Sequence, residues 1–318
     1  MKRAVLTAPE SCQIVEEPVP EIGPEEVLLR VAACGVCTSE LDMYRGLAGG
    51  AGHATYPWEP GHEISGVVEK VGDRVQTFSV GDPVVAWIPM RGYAEYVGVK
   101  AEFCLPAAGV PLHLAMAEPL ACAVNAVELA APSLGDDIVL IGAGFMGILI
   151  QKLVMLRGPH RLVVADTRDD ALERAASLGA TRTVNVLRES LPDVVGELTE
   201  ARGADVAFEA TGVQAALDVL GEVTRMSGTV VIAGYHQGPP RTLPLGDWNW
   251  MAFRIVNAHF RELTTIMRGM GIGMRLLTSG RLSMDGLVTH RFPLEEIDRA
   301  FRTAIDKPPG FVKATVEP

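Results

Sequence analysis

A chain of 318 residues that is 48% hydrophobic has enough apolar side chains for two domains, each with its own core. Its 28 Lys and Arg against 39 Asp and Glu give a net charge of −11, opposite in sign to what a phosphate backbone attracts, which argues against nucleic acid as a partner. Five cysteines spread along the chain are neither an even set nor dense enough for a disulfide framework, so free thiols are expected.

In chain order, the opening MKRAVLTAPESCQ has too short an apolar run for a signal-peptide core, which points to a cytoplasmic protein. EEVLLRVAACGV, ISGVVEKVG, DPVVAWI and YAEYVGV then mix β-branched and aromatic residues between Gly, Pro and Asp turns, the pattern of an irregular β domain. From about residue 133 the rhythm becomes strand, glycine turn, helix, strand: DIVLIGAG, FMGILIQKLVMLRG, RLVVAD and DDALERAASLG. This alternation predicts a parallel sheet with helices on both faces, an α/β fold. The most apolar stretch, residues 136–158, is broken by Gln151, Lys152 and four glycines, so no membrane span is predicted. Beyond about residue 265, TTIMRGMGIGMRLLTSGRLS reads as helical at its start, and GLVTHRFPLEEIDRAFRTAID as a strand then a helix with Pro293 near its start.

The sharpest motif is Gly142, Gly144 and Gly147 in VLIGAGFMG, between an apolar strand and a helix. The first glycine makes the tight turn, the second admits a pyrophosphate close to the backbone, and the third lets helix and strand pack. Helix N–H groups then face the anion, in a cradle that includes Phe145 and Met146. Asp166 ends the next strand, 24 residues after Gly142, close to the spacing of a carboxylate that binds an adenosine ribose. Such a carboxylate favours NAD and repels the 2′-phosphate of NADP, although Arg168 nearby could hold a phosphate. Thr211 and Gly212 in DVAFEATG read either as a small-residue turn lining the cofactor groove or as a plain strand-to-helix turn.

Cys34 and Cys37 form a Cys-x-x-Cys that fits a redox dithiol, half of a structural zinc site, or one working thiol. No second such pair exists, which removes a zinc built from two Cys-x-x-Cys halves. His62 and Glu63 follow Gly61, 25 residues beyond Cys37. A thiolate, an imidazole and a carboxylate make a catalytic zinc set, and neighbours on a strand reach one metal only if the chain bends at PGHE.

GVCTSELDMYRG, PGHEISGVVEKVGDRVQTFSVGDPVV, AEPLACAVNA, VLIGAGFMG and LVTHRFPLEEIDRAF, in this order and spacing, resemble the zinc-dependent medium-chain dehydrogenase/reductase (alcohol dehydrogenase-like) family along nearly the whole chain. The resemblance implies a GroES-like β-rich catalytic domain over 1–127, completed by 265–318, and a Rossmann NAD-binding domain with a doubly wound parallel sheet over 128–264. AEPLA places Glu118 where the sorbitol and threonine dehydrogenase branch keeps a carboxylate and ethanol-type enzymes keep a cysteine. It further implies that Cys37 and His62 are zinc ligands, with Glu63 and Glu118 sharing the remaining positions directly or through water. Ser39 then passes the substrate proton towards solvent, and Cys34 is a small buried apolar residue. The implied cofactors are one catalytic Zn²⁺ per subunit and NAD. The implied substrate is a small-molecule secondary alcohol or ketone, and the implied assembly a homodimer or homotetramer. His290, Trp248, Trp250 and Phe253 fall in segments where the family closes its cofactor domain and pairs edge strands.

Between Val85 and Gly92, where many relatives insert a four-cysteine lobe around a second, structural zinc, this chain has only AWIPMR. A more open cleft is therefore expected, suited to a polyol, an amino alcohol, or a sugar or cyclitol derivative. Asp42 stands where polyol and threonine dehydrogenases usually carry histidine, and reads as a partner for a second substrate hydroxyl or amine, or as a solvated acid. Trp58 and Tyr44 are candidate pocket walls or core residues. Two other functions fit the chain: a zinc-free enone or quinone reductase, opposed by the intact Cys37, His62 and Glu63 set, and a non-catalytic dinucleotide-binding protein.

Overall fold

The computed structural model describes residues 1–47 and 55–318, and its first element is a hairpin of β1 (Lys2–Ala8) and β2 (Ser11–Glu16). There follow β3 (Glu26–Gly35), the short helix α1 (Thr38–Tyr44), β4 (Glu63–Val71), β5 (Pro83–Trp87), β6 (Tyr96–Lys100) and β7 (Cys104–Pro106). Helix α2 (Ala117–Ala130) leads to β8 (Asp137–Ile141), α3 (Phe145–Met155), β9 (Arg161–Asp166), α4 (Asp169–Ser177), β10 (Arg182–Asn185), α5 (Leu191–Leu198) and β11 (Ala204–Glu209). Next come α6 (Gln214–Leu220), β12 (Thr224–Ile232), α7 (Leu245–Trp250) and β13 (Arg254–Asn257). The chain finishes with α8 (Leu263–Thr278), β14 (Val288–Pro293), α9 (Ile297–Asp306) and β15 (Lys313–Glu317). It divides into two units, Met1–Ala121 with Glu262–Pro318 and Cys122–Arg261.

The first unit is β-rich, with sheet order β14-β15-β3-β4-β5-β7 and β6 also on β3. Strand β3 pairs antiparallel with β4, Cys34 facing Ile64, and with β15, Gly35 facing Thr315. Leu29, Val31, Cys34, Ile64, Val68 and Val84 form its core with Tyr93, Tyr44 and Phe301. Tyr44 is wholly buried and stacks on Phe301 with centroids 4.6 Å apart, so it is a core residue rather than a pocket wall. Trp58 is half-buried against the same core, its backbone bonded to Leu6 at 2.8 and 2.9 Å.

Helix α8 runs through the whole glycine-containing stretch and does not stop near its start. Gly269 and Gly273, four apart, lie on one helix face, where an added Cβ would come within 2.9 Å of Ala121 and 2.7 Å of Leu120. These glycines permit close helix packing instead of ending the helix. Pro293 likewise ends β14, and α9 begins only at Ile297.

In the second unit the parallel order β10-β9-β8-β11-β12-β13 is the doubly wound arrangement that alternating apolar strands and amphipathic helices predict. Strand β8 is buried along its full length, which fits an inner strand covered on both faces. Consecutive strands reverse direction of growth between β8 and β11, which puts a ligand crevice at the carboxyl ends of those two strands.

At the opposite edge, Asp205 accepts from Arg202 Nη1 (2.8 Å), Arg225 Nε (2.6 Å) and the Asp137 N–H (2.8 Å). Burial opposes its charge, yet these donors hold its carboxyl well below the usual range. A depressed folded pKa stabilises above the unfolded value and loses that contribution as pH falls. Asp205→Asn should therefore lower unfolding stability by about 2 kcal/mol near neutrality. The gap from the wild type should narrow as urea unfolding is repeated at falling pH, below about pH 4.

Candidate metal and dinucleotide sites

Cys37 is the residue that caps α1, where the chain leaves β3 and turns into the helix. His62 and Glu63 sit at the entry to β4, after Gly61 at φ +104°. A Cβ on Gly61 would lie 2.6 Å from the Tyr93 nitrogen and 2.7 Å from that of Gly92, so only glycine allows this bend and approach. The bend lets adjacent side chains serve one centre. Donor atoms of Cys37, His62 and Glu63 all lie within 4.8 Å of one another. Tetrahedral ligands at zinc bond lengths are roughly 3.5–4 Å apart, so this soft-plus-oxygen donor set fits Zn²⁺.

Each donor is held by a partner. His62 Nδ1 lies 3.0 Å from Glu40 Oε1, which also accepts the Gly61 N–H at 2.7 Å, while the Tyr93 hydroxyl donates to Glu40 Oε2 at 2.7 Å. With Nδ1 donating to a carboxylate, Nε2 keeps its lone pair for a metal. Burial pushes the His62 pKa down, but Cys37 and Glu40 outweigh it and carry it well above the ordinary value, so a metal binding at Nε2 would displace a proton there. Burial likewise raises the Glu40 carboxyl, and His62, Tyr93 and Gly61 bring it below its usual range. Lys313 Nζ donates to Glu63 Oε1 at 2.9 Å and lies 2.8 Å from Oε2, with both side chains almost sealed from water. Burial lowers the Lys313 pKa, and the charges of Glu63 and Cys37 more than offset it, keeping the ammonium protonated. Gly35 makes room for this pair, since a Cβ there would sit 2.0 Å from Glu63 Oε2.

Ser39 Oγ donates to Cys37 Sγ at 3.2 Å, in the first turn of α1. Cys34 is fully buried in the core, and burial raises its thiol well above the usual range. Glu118 stands in the first turn of α2 and is not among the converging three; its charge acts on Lys313. Glu40 was readable only as an acid in the motif, and Lys313 only as a lone cation in the apolar run FVKATV. Their pairing with His62 and Glu63 depends on tertiary closure.

In the second unit, Gly142 adopts φ +107°, and a Cβ on Gly147 would fall 1.9 Å from the Gly142 oxygen. Nothing lies within 4 Å of a Cβ built on Gly144, so its backbone faces open space, as close approach of a pyrophosphate requires. Phe145 and Met146 open α3 directly after it. Asp166 Oδ2 accepts the Ala143 N–H at 2.8 Å and Oδ1 the Arg168 N–H at 2.9 Å, which fixes the carboxylate beside the glycine turn. The Thr211–Gly212 turn abuts the same loop, because a Cβ on Gly142 would meet Thr211 Cγ2 at 2.8 Å.

That turn is organised by a residue the motifs did not single out. Glu209 is wholly buried, and its Oε1 accepts the Thr211 N–H (2.6 Å), the Thr211 hydroxyl (2.6 Å) and the Gly212 N–H (2.7 Å). Its Oε2 lies 2.8 Å from His236 Nε2, and Arg241 Nε donates to His236 Nδ1 at 3.3 Å. The fit for a dinucleotide thus rests on the open glycine turn, the fixed Asp166 and this braced neighbour.

Residues 23–109 match the alcohol dehydrogenase GroES-like domain and residues 146–270 the zinc-binding dehydrogenase domain. The chain is 30% identical over 334 residues to a sorbitol dehydrogenase of Bombyx mori, covering 95% of this chain and 94% of that protein. An L-threonine 3-dehydrogenase of Ruegeria pomeroyi is 29% identical over 325 residues, with 92% of each chain covered. Among solved structures, an alcohol dehydrogenase from a Thermus species is 26% identical with a TM-score of 0.84, covering 100% of this chain and 99% of that one.

Lys313→Met leaves Glu63 as an unpaired buried charge and should cost about 3–5 kcal/mol of stability in chelator-treated protein. Adding Glu63→Gln should recover most of that loss, and a double-mutant cycle by urea unfolding measures the coupling.

Proposed function

The chain belongs to the zinc-binding alcohol dehydrogenase family of medium-chain dehydrogenases, and from that premise we propose that it oxidises a secondary alcohol of the polyol, amino-alcohol or sugar-derivative type with NAD. The observation that carries this reading is the convergence of Cys37, His62 and Glu63 within 4.8 Å, in a chain that also has an open glycine turn beside Asp166. A catalytic donor set of this kind opposes the zinc-free reductase reading.

Cys37, His62 and Glu63 would hold a zinc ion, which would supply a Lewis acid for a substrate hydroxyl, and the glycine turn would hold NAD, which would supply the hydride acceptor. The protein's own residues do the rest. Glu40 orients the His62 ring by accepting from Nδ1, and Lys313 pairs with the buried Glu63 carboxylate and fixes its position. Ser39, hydrogen-bonded to Cys37, is placed to accept the hydroxyl proton and pass it towards solvent. Asp166 orients towards the ribose hydroxyls and disfavours a 2′-phosphate. Glu118, next to Lys313 in charge, completes the metal site directly or through water. Asp42 is half-buried, with no side-chain hydrogen bond among the described residues, which supports a role on a second substrate hydroxyl or amine.

A cytoplasmic homo-oligomer is part of this reading. Its supports are five cysteines with no disulfide among the described residues and a sheet edge at β13, which carries Ile255 (45% exposed) and follows Trp250 (81% exposed).

Protein purified without chelators should hold about one zinc per chain by elemental analysis, and Cys37→Ser should hold none. The loaded enzyme should form NADH faster from polyols, amino alcohols or sugar derivatives than from small primary alcohols. Absence of zinc from the wild type would overturn the reading. Asp166→Ser should raise the kcat/KM for NADP relative to NAD by about ten-fold or more, one lost charge repulsion being worth about 1.4 kcal/mol.

A further inference from the structure

Four charged residues from separate segments close into a ring beside the loop that carries His62. Arg3 comes from β1, Glu17 from the residue after β2, Glu59 from the approach to β4, and Arg91 from the turn after β5. Cations and anions alternate around it. Arg3 Nη2 lies 2.7 Å from Glu17 Oε2 and Nη1 2.5 Å from Glu59 Oε1. Arg91 Nη2 lies 3.1 Å from Glu17 Oε1 and Nε 3.2 Å from Glu59 Oε2. The charges sum to zero, and Arg3 is almost sealed from water, so its two carboxylates cannot be lost without leaving a buried cation.

The ring grips the metal loop from both sides. Glu59 stands three residues before His62. The Arg91 N–H donates to the Glu59 carbonyl at 3.0 Å, and the Gly92 N–H to the Gly61 carbonyl at 2.9 Å, so 59–61 and 91–92 run bonded together. Strand β1 is bonded to both segments, through Leu6 to Trp58 at 2.8 Å and Ala4 to Tyr93 at 2.9 Å. Tyr93 then bonds Glu40, which holds His62. Arg91 keeps a left-handed conformation, φ +73°, that a non-glycine residue adopts only when its surroundings impose it. Both its N–H and its guanidinium hold Glu59.

We propose that the Arg3–Glu17–Glu59–Arg91 ring is a positioning device that sets His62 for the metal and slows its release. The proposal rests on the zinc reading above. It places Glu59 and Arg91 as positioning residues, outside the donor set itself.

The test is the rate at which full-length, zinc-loaded protein gives up its metal to an excess of chromogenic chelator. Glu59→Gln and Arg91→Gln should each release zinc about ten-fold faster, the range for lost support of a ligand, and Arg91→Lys should restore part of the difference. NADH affinity should be unchanged in all three. Glu25→Gln, which breaks the exposed Arg74–Glu25 pair, should leave release unchanged. Lower melting temperatures with wild-type release rates would overturn the proposal, since the ring would then only stabilise the fold. Should Glu59→Gln and Arg91→Gln fail to fold, the conservative Arg91→Lys decides: release faster than the wild type supports the ring, and equal rates overturn it. A wild type that binds no zinc at all would overturn the zinc reading and the proposal together, whereas a zinc-loaded wild type with unresponsive variants would overturn the proposal alone.

Discussion

The metal loop depends on one sealed carboxylate. Glu40 lies 1% exposed and gathers the Gly61 N–H, the His62 ring and the Tyr93 hydroxyl from two other segments of the chain. A carboxylate out of water is costly unless its lone pairs are used, so each of these groups is held by the penalty its departure would impose. One acceptor thereby fixes the imidazole tautomer, the ring direction and the bend at Gly61 together. The near contact of Gly61 with Gly92 and the full burial of Tyr93 are the packing that this arrangement requires.

The dinucleotide unit uses the same device on different residues. Glu209 holds the Thr211–Gly212 turn by backbone N–H groups, and Asp166 holds the glycine loop at Ala143. In both units a carboxylate organises a loop that must present its backbone or a ring nitrogen in one direction. Apolar packing makes the sheets, but it cannot specify such directions, because burial is indifferent to orientation.

This division explains what was legible in the sequence. The alternation of apolar strands with helices, the glycine turn and the strand ending at Asp166 follow local rules, and the parallel sheet and its fold class were readable from them. Cys37, His62 and Glu63 were readable as a set because few roles demand a thiol, an imidazole and a carboxylate in that spacing. Glu40, Lys313 and His236 were not, because each acts on a partner 22, 250 or 27 residues away. Tyr44 read equally as a pocket wall or a core residue and is core, a choice the sequence could not make because its neighbour Phe301 comes from α9 near the other end of the chain. The stretch around Gly269 and Gly273 was readable as helical only at its start, because sequence shows a missing side chain but not the neighbour that packs into its place.

Strand β15 seals the first unit against β3, although the whole second unit lies between them in the chain. Synthesis runs from the amino end, so Cys37, His62 and Glu63 emerge long before Lys313 does. Until then the Cys34–Gly35 end of β3 lacks its neighbour and Glu63 has no cation, and a carboxylate without a cation stays in water. The amino-terminal strands can form early, but their metal centre remains hydrated and open. A chain that ends before β15 lacks both the strand that pairs with Gly35 and the cation that pairs with Glu63, so it cannot bury that carboxylate without cost.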